Sequence, residues 1–350
     1  MGPLGVIGTL IVSLFSQDSA APVRAAESVP TPSVVALATP APAAADRAHP
    51  GHWVSGAFAG PAGSRQYTLY VPGNYDPVRK HMLVVLLHGC TQDAADIARG
   101  TRIAEHADRE GFLAVLPEQP ASANAKKCWN WYDPAHQSRD AGEPSLIAGI
   151  TEQVRRDYAV DEARIHLAGI SAGAAMASIV AVAYPERYAS IAIHSGLPWG
   201  AAHDVMTALG AMAKGIPDAD ALGIAALRAM GARARAIPVL VVHGGSDAVL
   251  VPANGRQATR QWAVTDARAL GVDSLTPRGD ESGVANGYHW TRSSLADARG
   301  RVMIEQLTVQ ELGHAWSGGS RQGTFTDERG PDAMDAVVRF FLAHPMTRER

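Results

Sequence analysis

Short, mostly apolar runs alternate with longer amphipathic segments along most of the chain. The apolar runs have the length of strands buried on both faces, whereas the amphipathic segments have helical spacing. Residues 66–71 instead alternate polar and apolar positions, which is typical of an exposed edge strand. Further strands are predicted at residues 82–87, 112–116, 164–168, 190–194, 238–242 and 303–309, and helices at residues 91–110, 143–158, 172–183, 254–270 and 331–344.

Strands that alternate with helices predict an α/β fold with a mostly parallel central sheet covered by helices on both faces. Residues 198–235, which are rich in Ala and Gly, lie between two such units and predict a small helical insertion over one end of the sheet. Binding and catalytic residues of such sheets lie at the C-terminal ends of the strands. Candidate site residues are therefore sought in the loops that follow strands.

The N-terminal part of the chain has a different pattern. An uncharged, mostly apolar run at residues 5–15 is too short to span a bilayer but matches the core of a signal peptide, although no Lys or Arg precedes it. Cleavage after Ala21 or Ala25 would fit, so residues 1–25 are predicted to be a signal peptide. A disordered, slightly apolar tail is the alternative.

Residues 20–49 contain 11 Ala, 5 Pro and no aromatic residue. Such a segment cannot bury enough surface to offset the entropy of ordering it. We therefore predict a disordered Ala/Pro-rich linker at residues 26–51, followed by one folded α/β domain at residues 52–350. With the signal peptide, this organisation predicts a secreted or periplasmic protein.

The composition is that of a globular protein, with 47% hydrophobic and 19% charged residues among 350. A net charge of −3 gives no strong electrostatic field to attract nucleic acid or an anionic membrane. After the predicted signal peptide, the sequence contains no apolar run long enough to predict a membrane-spanning helix. The chain has no HExxH motif, no paired CxxC, no P-loop and no GxGxxG after a strand. No metal or nucleotide cofactor is therefore predicted.

Ser171 is the candidate nucleophile. It stands in a G-x-S-x-G motif formed by Gly169-Ile170-Ser171-Ala172-Gly173, between a predicted strand and a predicted helix. This is the context of a nucleophile elbow, a sharp strand-to-helix turn that lifts the serine hydroxyl off the sheet. The motif alone is weakly specific in a chain with 34 Gly, and an ordinary tight turn is the alternative.

A serine nucleophile needs a base, and the base needs an acid to orient it, in the chain order Ser, Asp, His. Asp247 follows the strand predicted at residues 238–242, which makes it the candidate acid; an Asp in a polar turn is the alternative. His314 follows the strand predicted at residues 303–309 and is the candidate base. His289 and His344 also follow Asp247, but in a probable strand and at the end of a helix.

The strand predicted at residues 82–87 leads into a loop that contains Cys90. In this type of site, the backbone N–H groups of this loop and of the residue after the nucleophile form an oxyanion hole, so we assign Cys90 and Ala172 to it. Cys90 and Cys128 are the two cysteines of the chain. In an exported protein they would most simply pair as a disulfide; two buried thiols are the alternative.

Aromatic residues make up 6% of the chain, yet Trp129, Trp131 and Tyr132 fall within four positions, and Trp316 lies two residues from His314. Aromatic side chains close to a catalytic loop favour contact with a flat apolar or sugar-like substrate. Core packing is the alternative for each of them.

Five motifs together resemble the extracellular poly(3-hydroxybutyrate) depolymerases, which border the feruloyl and acetylxylan esterases. They are HGCTQ at 88–92, CWNWY at 128–132, GEPSLIAGI at 142–150, GISAGAAM at 169–176 and GHAWSGG at 313–319. The resemblance covers roughly residues 53–345. It implies an α/β-hydrolase fold and a serine esterase that acts on short-chain polyhydroxyalkanoates or their oligomers. It also implies the triad, the oxyanion hole, the disulfide and the aromatic substrate contacts described above.

The chain departs from that family in two places. Polymer-degrading members usually carry a C-terminal linker and a separate substrate-binding domain, whereas this chain ends at Arg350, so we expect no such domain here. This departure argues against crystalline polymer as the substrate and leaves soluble oligomers or other esters. The loop before the acid reads Gly245-Ser246-Asp247 in place of G-T-x-D. The alternatives are a feruloyl or acetylxylan esterase with the same chemistry and a non-catalytic binding module on the same scaffold.

Overall fold

The computed structural model describes residues 50–347. The predicted signal peptide at residues 1–25, and the predicted linker up to residue 49, lie outside the described residues. Within the described part, the first strand begins at His52.

A ten-stranded sheet organises the described chain. Its spatial order is β1-β2-β4-β3-β5-β6-β7-β10-β9-β8, with parallel pairing from β4 to β10 and antiparallel pairing at both edges. The predicted mostly parallel sheet is therefore confirmed. The strands are β1 His52–Gly60, β2 Gly63–Val71, β3 His81–Leu87, β4 Leu113–Pro117, β5 Val160–Ile170, β6 Ile191–His194, β7 Val239–Gly244, β8 Thr276–Ala285, β9 Tyr288–Ala296 and β10 Val302–Val309, with a separate pair β11 Trp316–Ser317 and β12 Thr326–Asp327.

Helices cover both faces of the sheet, as predicted. They are α1 Ala94–Thr101, α2 Ile103–Glu110, α3 Gly142–Asp157, α4 Ala172–Ala183, α5 Val205–Lys214, α6 Ala219–Met230, α7 Ala253–Ala269 and α8 Ala333–Ala343. Strand β3 is buried throughout, and its alternate side chains enter two apolar clusters. Leu83 belongs to the cluster that includes residues of α3 and α4, and Val84 belongs to the cluster that includes residues of α1, α2 and α8. Burial on both faces is why this strand is continuously apolar.

Two sequence predictions about local structure were wrong. Strand β2 is not an edge strand, because β1 pairs with it on the outer side and β4 on the inner side. The helix predicted at residues 91–110 is broken into α1 and α2 at Arg102, whose φ of 55° is left-handed. The alternating polar positions of β2 thus reflect one face that is less buried than the other, and not an unpaired edge.

The antiparallel hairpin of β8 and β9 was not predicted as a unit. Its turn is Asn286-Gly287, with φ values of 46° and 85°. An Asn-Gly pair between two alternating segments is a signal for this turn, because both positions need positive φ. The signal was therefore available in the sequence.

Residues 198–235 form the predicted helical insertion, which contains α5 and α6. Helix α6 lies along α7, where the Thr265 hydroxyl donates to the Gly223 carbonyl over 3.0 Å. Helix α5 meets the loop after β7, because the Val251 N–H donates to the Met212 carbonyl over 3.0 Å. None of the helices between residues 50 and 347 is long and apolar enough to cross a membrane.

Candidate active site

Ser171 lies in the sharp turn between β5 and α4, with φ 56° and ψ −123°. The two flanking glycines are required by space. A Cβ atom on Gly169 would lie 2.4 Å from the Gly173 carbonyl carbon, and one on Gly173 would lie 2.3 Å from the Leu87 carbonyl oxygen. The G-x-S-x-G pattern therefore lets the turn pack against β3 while it holds Ser171 in a strained conformation.

The three predicted triad side chains meet at the C-terminal ends of their strands. His314 Nε2 lies 3.0 Å from Ser171 Oγ, and His314 Nδ1 lies 2.8 Å from Asp247 Oδ2. The carboxylate has no donor, so Nδ1 carries the proton and Nε2 is free to accept the serine proton. This is the geometry of a nucleophile, a general base and the acid that orients it.

Asp247 is buried, with 3% of its surface exposed. Its Oδ1 accepts the N–H groups of Val249 and Leu250 over 2.9 Å each. Burial raises the pKa of Asp247, but the hydrogen bond and charge interaction with His314 and the hydrogen bond from the Leu250 N–H outweigh it. The pKa of this carboxyl lies below its ordinary value, so the group stays ionised beside the imidazole.

Backbone hydrogen bonds join the loop that carries Asp247 to the loop that carries His314. Gly245 N–H donates to Val309 O over 2.8 Å, and Ser246 N–H donates to Leu312 O over 3.0 Å. The two loops follow β7 and β10, which are adjacent parallel strands. Strand pairing therefore brings together two side chains that are 67 positions apart.

Two buried histidines that the sequence did not single out support this geometry. His194 Nε2 accepts the Ser317 N–H over 3.3 Å, and its ring stacks on Trp316 at 4.6 Å. His243 Nε2 lies 2.9 Å from Leu250 O and 3.6 Å from Asp247 Oδ2. Burial lowers the pKa of His194 to about 3 and also lowers the pKa of His243, so both imidazoles are neutral supports. The sequence feature that could have identified both residues is a histidine at the end of a buried strand.

The loop that contains Cys90 lies beside the nucleophile. A Cβ atom on Gly89 would stand 3.4 Å from Ser171 Cβ. Cys90 is joined to Cys128 by a disulfide, so the predicted pairing is present and the alternative of two thiols is wrong. The bond ties this loop to the segment that contains Trp129, Trp131 and Tyr132.

A buried polar network holds that segment from the other side. Glu143 is fully buried, and its carboxylate accepts both the backbone N–H and the side-chain amide of Asn130 over 2.7 Å each. Gln119 donates to Glu143 and to the Cys128 carbonyl, and its own N–H donates to His88 Nε2 over 3.1 Å. Arg65 Nη2 lies 3.4 Å from Glu143 and neutralises part of its charge. No role for Glu143 could be assigned from the sequence, because its partners are distant along the chain.

His88 connects this network to the loop beside Ser171. Because its Nε2 accepts a hydrogen bond from the Gln119 N–H, its Nδ1 carries the ring proton and donates to Gly89 O over 2.8 Å. Burial lowers the pKa of His88 to about 4. The oxygen that it holds belongs to the Gly89–Cys90 peptide, so a neutral imidazole fixes the orientation of the Cys90 N–H.

The aromatic predictions need correction at two positions. Trp129 is fully buried and donates its Nε1–H to His88 O over 3.1 Å, and Trp316 is 1% exposed against His194. Such buried rings support the loops and do not form a substrate surface. Trp131 is 6% exposed and stands edge-on to the partly exposed Tyr132 at 5.7 Å, so contact with substrate stays a prediction for these two.

One cluster of ionisable side chains has metal-like spacing. Ligand atoms of His106, Asp332 and Asp335 all lie within 4.8 Å of one another. Arg102 pairs with Asp332 over 2.6 Å, and Arg109 pairs with Asp335. Asp332 also caps α8 by accepting two backbone N–H groups. We interpret the cluster as an ion-pair network that anchors α8, and we assign no metal to it.

The sheet, the elbow and the ordered Ser-Asp-His geometry define an α/β-hydrolase. The same fold is found in the acetyl xylan esterase from Aspergillus awamori, with a TM-score of 0.65, 20% identity, and coverage of 83% of this chain and 99% of that chain. It is also found in a feruloyl esterase module from Clostridium thermocellum, with a TM-score of 0.54, 14% identity, and coverage of 87% and 95%. At these identities the likeness establishes the fold.

Residues 65–271 match the family model described as Esterase PHB depolymerase, and the chain belongs to this family. The match includes Ser171 and Asp247. The predicted family is thereby confirmed.

Curated relatives carry two kinds of name. Poly(3-hydroxyalkanoate) depolymerase C of Paucimonas lemoignei is 30% identical over 235 residues, which cover 66% of this chain and 54% of that protein. Probable acetylxylan esterase A of Aspergillus fumigatus is 28% identical over 214 residues, which cover 58% and 55%. This chain therefore spans about half the length of the curated relatives that it matches.

The buried imidazoles predict how stability depends on pH. The pKa of His166, which is fully buried, is lowered to about 3, as is that of His194, and that of His88 is lowered to about 4. A histidine in the unfolded chain has a pKa of about 6.5, so below that pH the unfolded chain binds protons that the native state does not. The free energy of unfolding should therefore fall as the pH is lowered from about 6.5 to about 5, by up to about 1.4 kcal/mol per pH unit for each histidine.

Urea unfolding across this interval measures the slope. His166→Gln should make the slope shallower by the contribution of one histidine, whereas His203→Gln, at a position whose side chain is 71% exposed, should leave it unchanged. A free energy of unfolding that is constant or that rises as the pH is lowered would contradict the neutral state of these rings.

Proposed function

We propose that this protein hydrolyses carboxylic esters through an acyl-enzyme formed on Ser171. The observation that carries the proposal is the pair of hydrogen bonds that runs from Ser171 through His314 to Asp247, over 3.0 and 2.8 Å. A binding module on the same scaffold has no need of this complete set. Membership of an esterase family supports the same chemistry.

The proposed reaction has two halves. His314 Nε2 takes the hydroxyl proton of Ser171 as its oxygen attacks the ester carbonyl, and Asp247 stabilises the imidazolium. The tetrahedral intermediate collapses when the alcohol oxygen leaves and receives that proton from His314. Water then attacks the acyl-enzyme with His314 again as base, which releases the acid and restores Ser171.

The backbone N–H groups of Cys90 and Ala172 form the proposed oxyanion hole. In the turn after β3, the Gly89 N–H donates to Gln92 Oε1 over 2.9 Å and the Thr91 N–H donates to Lys126 O over 2.6 Å. Between these two, the Cys90 N–H has no acceptor within the described chain and is therefore available to substrate. Ala172 opens α4, where the helix dipole favours developing negative charge.

The proposed substrates are short-chain polyhydroxyalkanoates, such as poly(3-hydroxybutyrate), or their soluble oligomers. The family match and the depolymerase of Paucimonas lemoignei support this substrate class. Feruloyl or acetylated plant polysaccharide is the second candidate, because relatives and fold neighbours are named as acetylxylan and feruloyl esterases. Both candidates use the same catalytic side chains.

A secreted or periplasmic location is proposed with this function. The Cys90–Cys128 disulfide supports it, because structural disulfides persist in oxidising compartments and are rare in the cytosol. The apolar run at residues 5–15 of the sequence supports it independently.

Replacing the nucleophile tests the catalytic proposal. Ser171→Ala should lower kcat for p-nitrophenyl butyrate by a factor on the order of 10⁴ or more with an unchanged thermal melting curve, because the attacking oxygen is removed. Asp247→Asn should lower kcat by about 10⁴, because the imidazole then loses its orienting charge. Ser145→Ala is the matched serine control, because the Ser145 hydroxyl donates a hydrogen bond to the Gly142 carbonyl at the start of α3 and not to the triad. Its kcat should equal that of the unchanged protein. Hydrolysis retained by Ser171→Ala would refute the assignment.

A substrate panel separates the two substrate classes. The panel contains 3-hydroxybutyrate oligomers, poly(3-hydroxybutyrate) film, methyl ferulate and acetylated xylan, with kcat/KM or product release measured for each. We expect the hydroxybutyrate oligomers to be the best substrates. A clear preference for methyl ferulate or acetylated xylan would instead select the second candidate.

A further inference from the structure

Phe325 lies beside the proposed base, although it belongs to none of the motifs found in the sequence. Its ring centroid is 6.4 Å from that of His314, with an angle of 73° between the ring planes. The residue is partly exposed. An apolar ring thus lies within contact range of the base.

The backbone holds Phe325 in this position against its own conformational preference. Its φ is 52°, in the left-handed region that non-glycine residues rarely adopt. Such conformations persist where surrounding contacts fix them, and they are concentrated at functional sites. A glycine would be the ordinary residue here, so the presence of a large aromatic ring calls for a role of the side chain.

Hydrogen bonds to α1 and to neighbouring loops hold the Phe325 backbone in this conformation. The N–H and the hydroxyl of Thr324 both bind the Asp96 carboxylate, over 3.1 and 2.6 Å, and the Phe325 carbonyl accepts the Trp316 N–H over 2.7 Å. Gln92 donates to Thr324 O over 2.9 Å while its own oxygen accepts the Gly89 N–H over 2.9 Å. Gln92 therefore joins the loop of Phe325 to the loop of the proposed oxyanion hole.

The proposed mechanism indicates which part of an ester substrate lies next to the Phe325 ring. In the proposed mechanism, His314 Nε2 hands its proton to the leaving alcohol oxygen, so that oxygen must come close to the imidazole. The carbonyl oxygen points instead toward the N–H groups of Cys90 and Ala172. A ring that flanks His314 therefore borders the alcohol portion of the ester.

We propose that Phe325 is a specificity-determining residue that contacts the alcohol portion of the ester and favours apolar alcohol groups. This inference rests on the proposed esterase function. For an oligomer of 3-hydroxybutyrate, the alcohol portion is the next hydroxyacyl unit, whose methyl and methylene groups suit a phenyl ring. We assign Phe325 no contact with the acyl portion.

Two series of esters test the proposal. One series keeps the butyryl group and varies the alcohol from methyl to butyl to benzyl, and the other keeps p-nitrophenol and varies the acyl group from acetyl to hexanoyl. Phe325→Ala should raise KM for benzyl and butyl butyrate and lower the benzyl-to-methyl ratio of kcat/KM by about tenfold, the size of effect that lost apolar contact gives. The ratios within the acyl series should stay within about twofold.

Further variants keep the test decisive. Phe325→Leu should give an intermediate alcohol ratio, and it carries the test if the alanine variant does not fold. Phe58→Ala is the matched control, because Phe58 is also partly exposed but lies on the outer strand β1. Its alcohol ratio should equal that of the unchanged protein.

The outcomes separate this inference from the proposed function. If the unchanged protein hydrolyses these esters and the Phe325 variants keep its alcohol ratio, the inference is overturned and the esterase function stands. A change in the acyl ratios alone would also overturn it. If the unchanged protein hydrolyses none of the esters, both proposals fail.

Discussion

The hydrogen bond between Asp247 and His314 is the interaction on which the site depends. It links the loops after two adjacent parallel strands, and it is made by a carboxylate with no exposed side-chain surface. A buried charge of this kind is tolerated because backbone N–H groups and the imidazole satisfy it. The same bond fixes the ring so that its other nitrogen faces Ser171. Every later step of the proposed chemistry requires that orientation.

Around this bond, the protein uses neutral buried imidazoles as fixed hydrogen-bonding groups. His88, His194 and His243 are all nearly inaccessible, and burial lowers the pKa of each. A neutral imidazole has one donor and one acceptor, so it can join two loops without the cost of burying a charge. Next to the proposed oxyanion hole, the disulfide and the Glu143 carboxylate likewise hold neighbouring loops together. The site is thus held by polar contacts at loop ends, above a sheet held by apolar packing.

Much of this arrangement could be predicted from the sequence, because some constraints are local. The elbow needs glycine on both sides of Ser171, and buried strands need continuous apolar residues, so both are visible in one segment of the chain. The positions of Asp247 and His314 followed from strand ends and chain order. Glycine positions, apolar runs, strand ends and chain order can all be identified from the sequence pattern.

Other features depend on tertiary contacts that no local pattern contains. Trp129 and Trp316 look like substrate contacts in the sequence, but the fold buries both rings under the loops. Phe325 reaches His314 because Thr324 binds Asp96, which is 228 positions away. Glu143 is likewise given its role by Asn130 and Gln119. Burial and long-range hydrogen bonds decide these roles, and only the folded chain contains them.

The most direct test of the account is the rate and position of covalent labelling by a fluorophosphonate probe. Such a probe reacts with a serine only when a neighbouring base activates it. Peptide mass spectrometry should find a single adduct, at Ser171, and the labelling rate should fall sharply in Asp247→Asn. An adduct at another residue, no adduct at all, or an equal rate in the Asp247→Asn variant would contradict the proposed relay from Asp247 through His314 to Ser171.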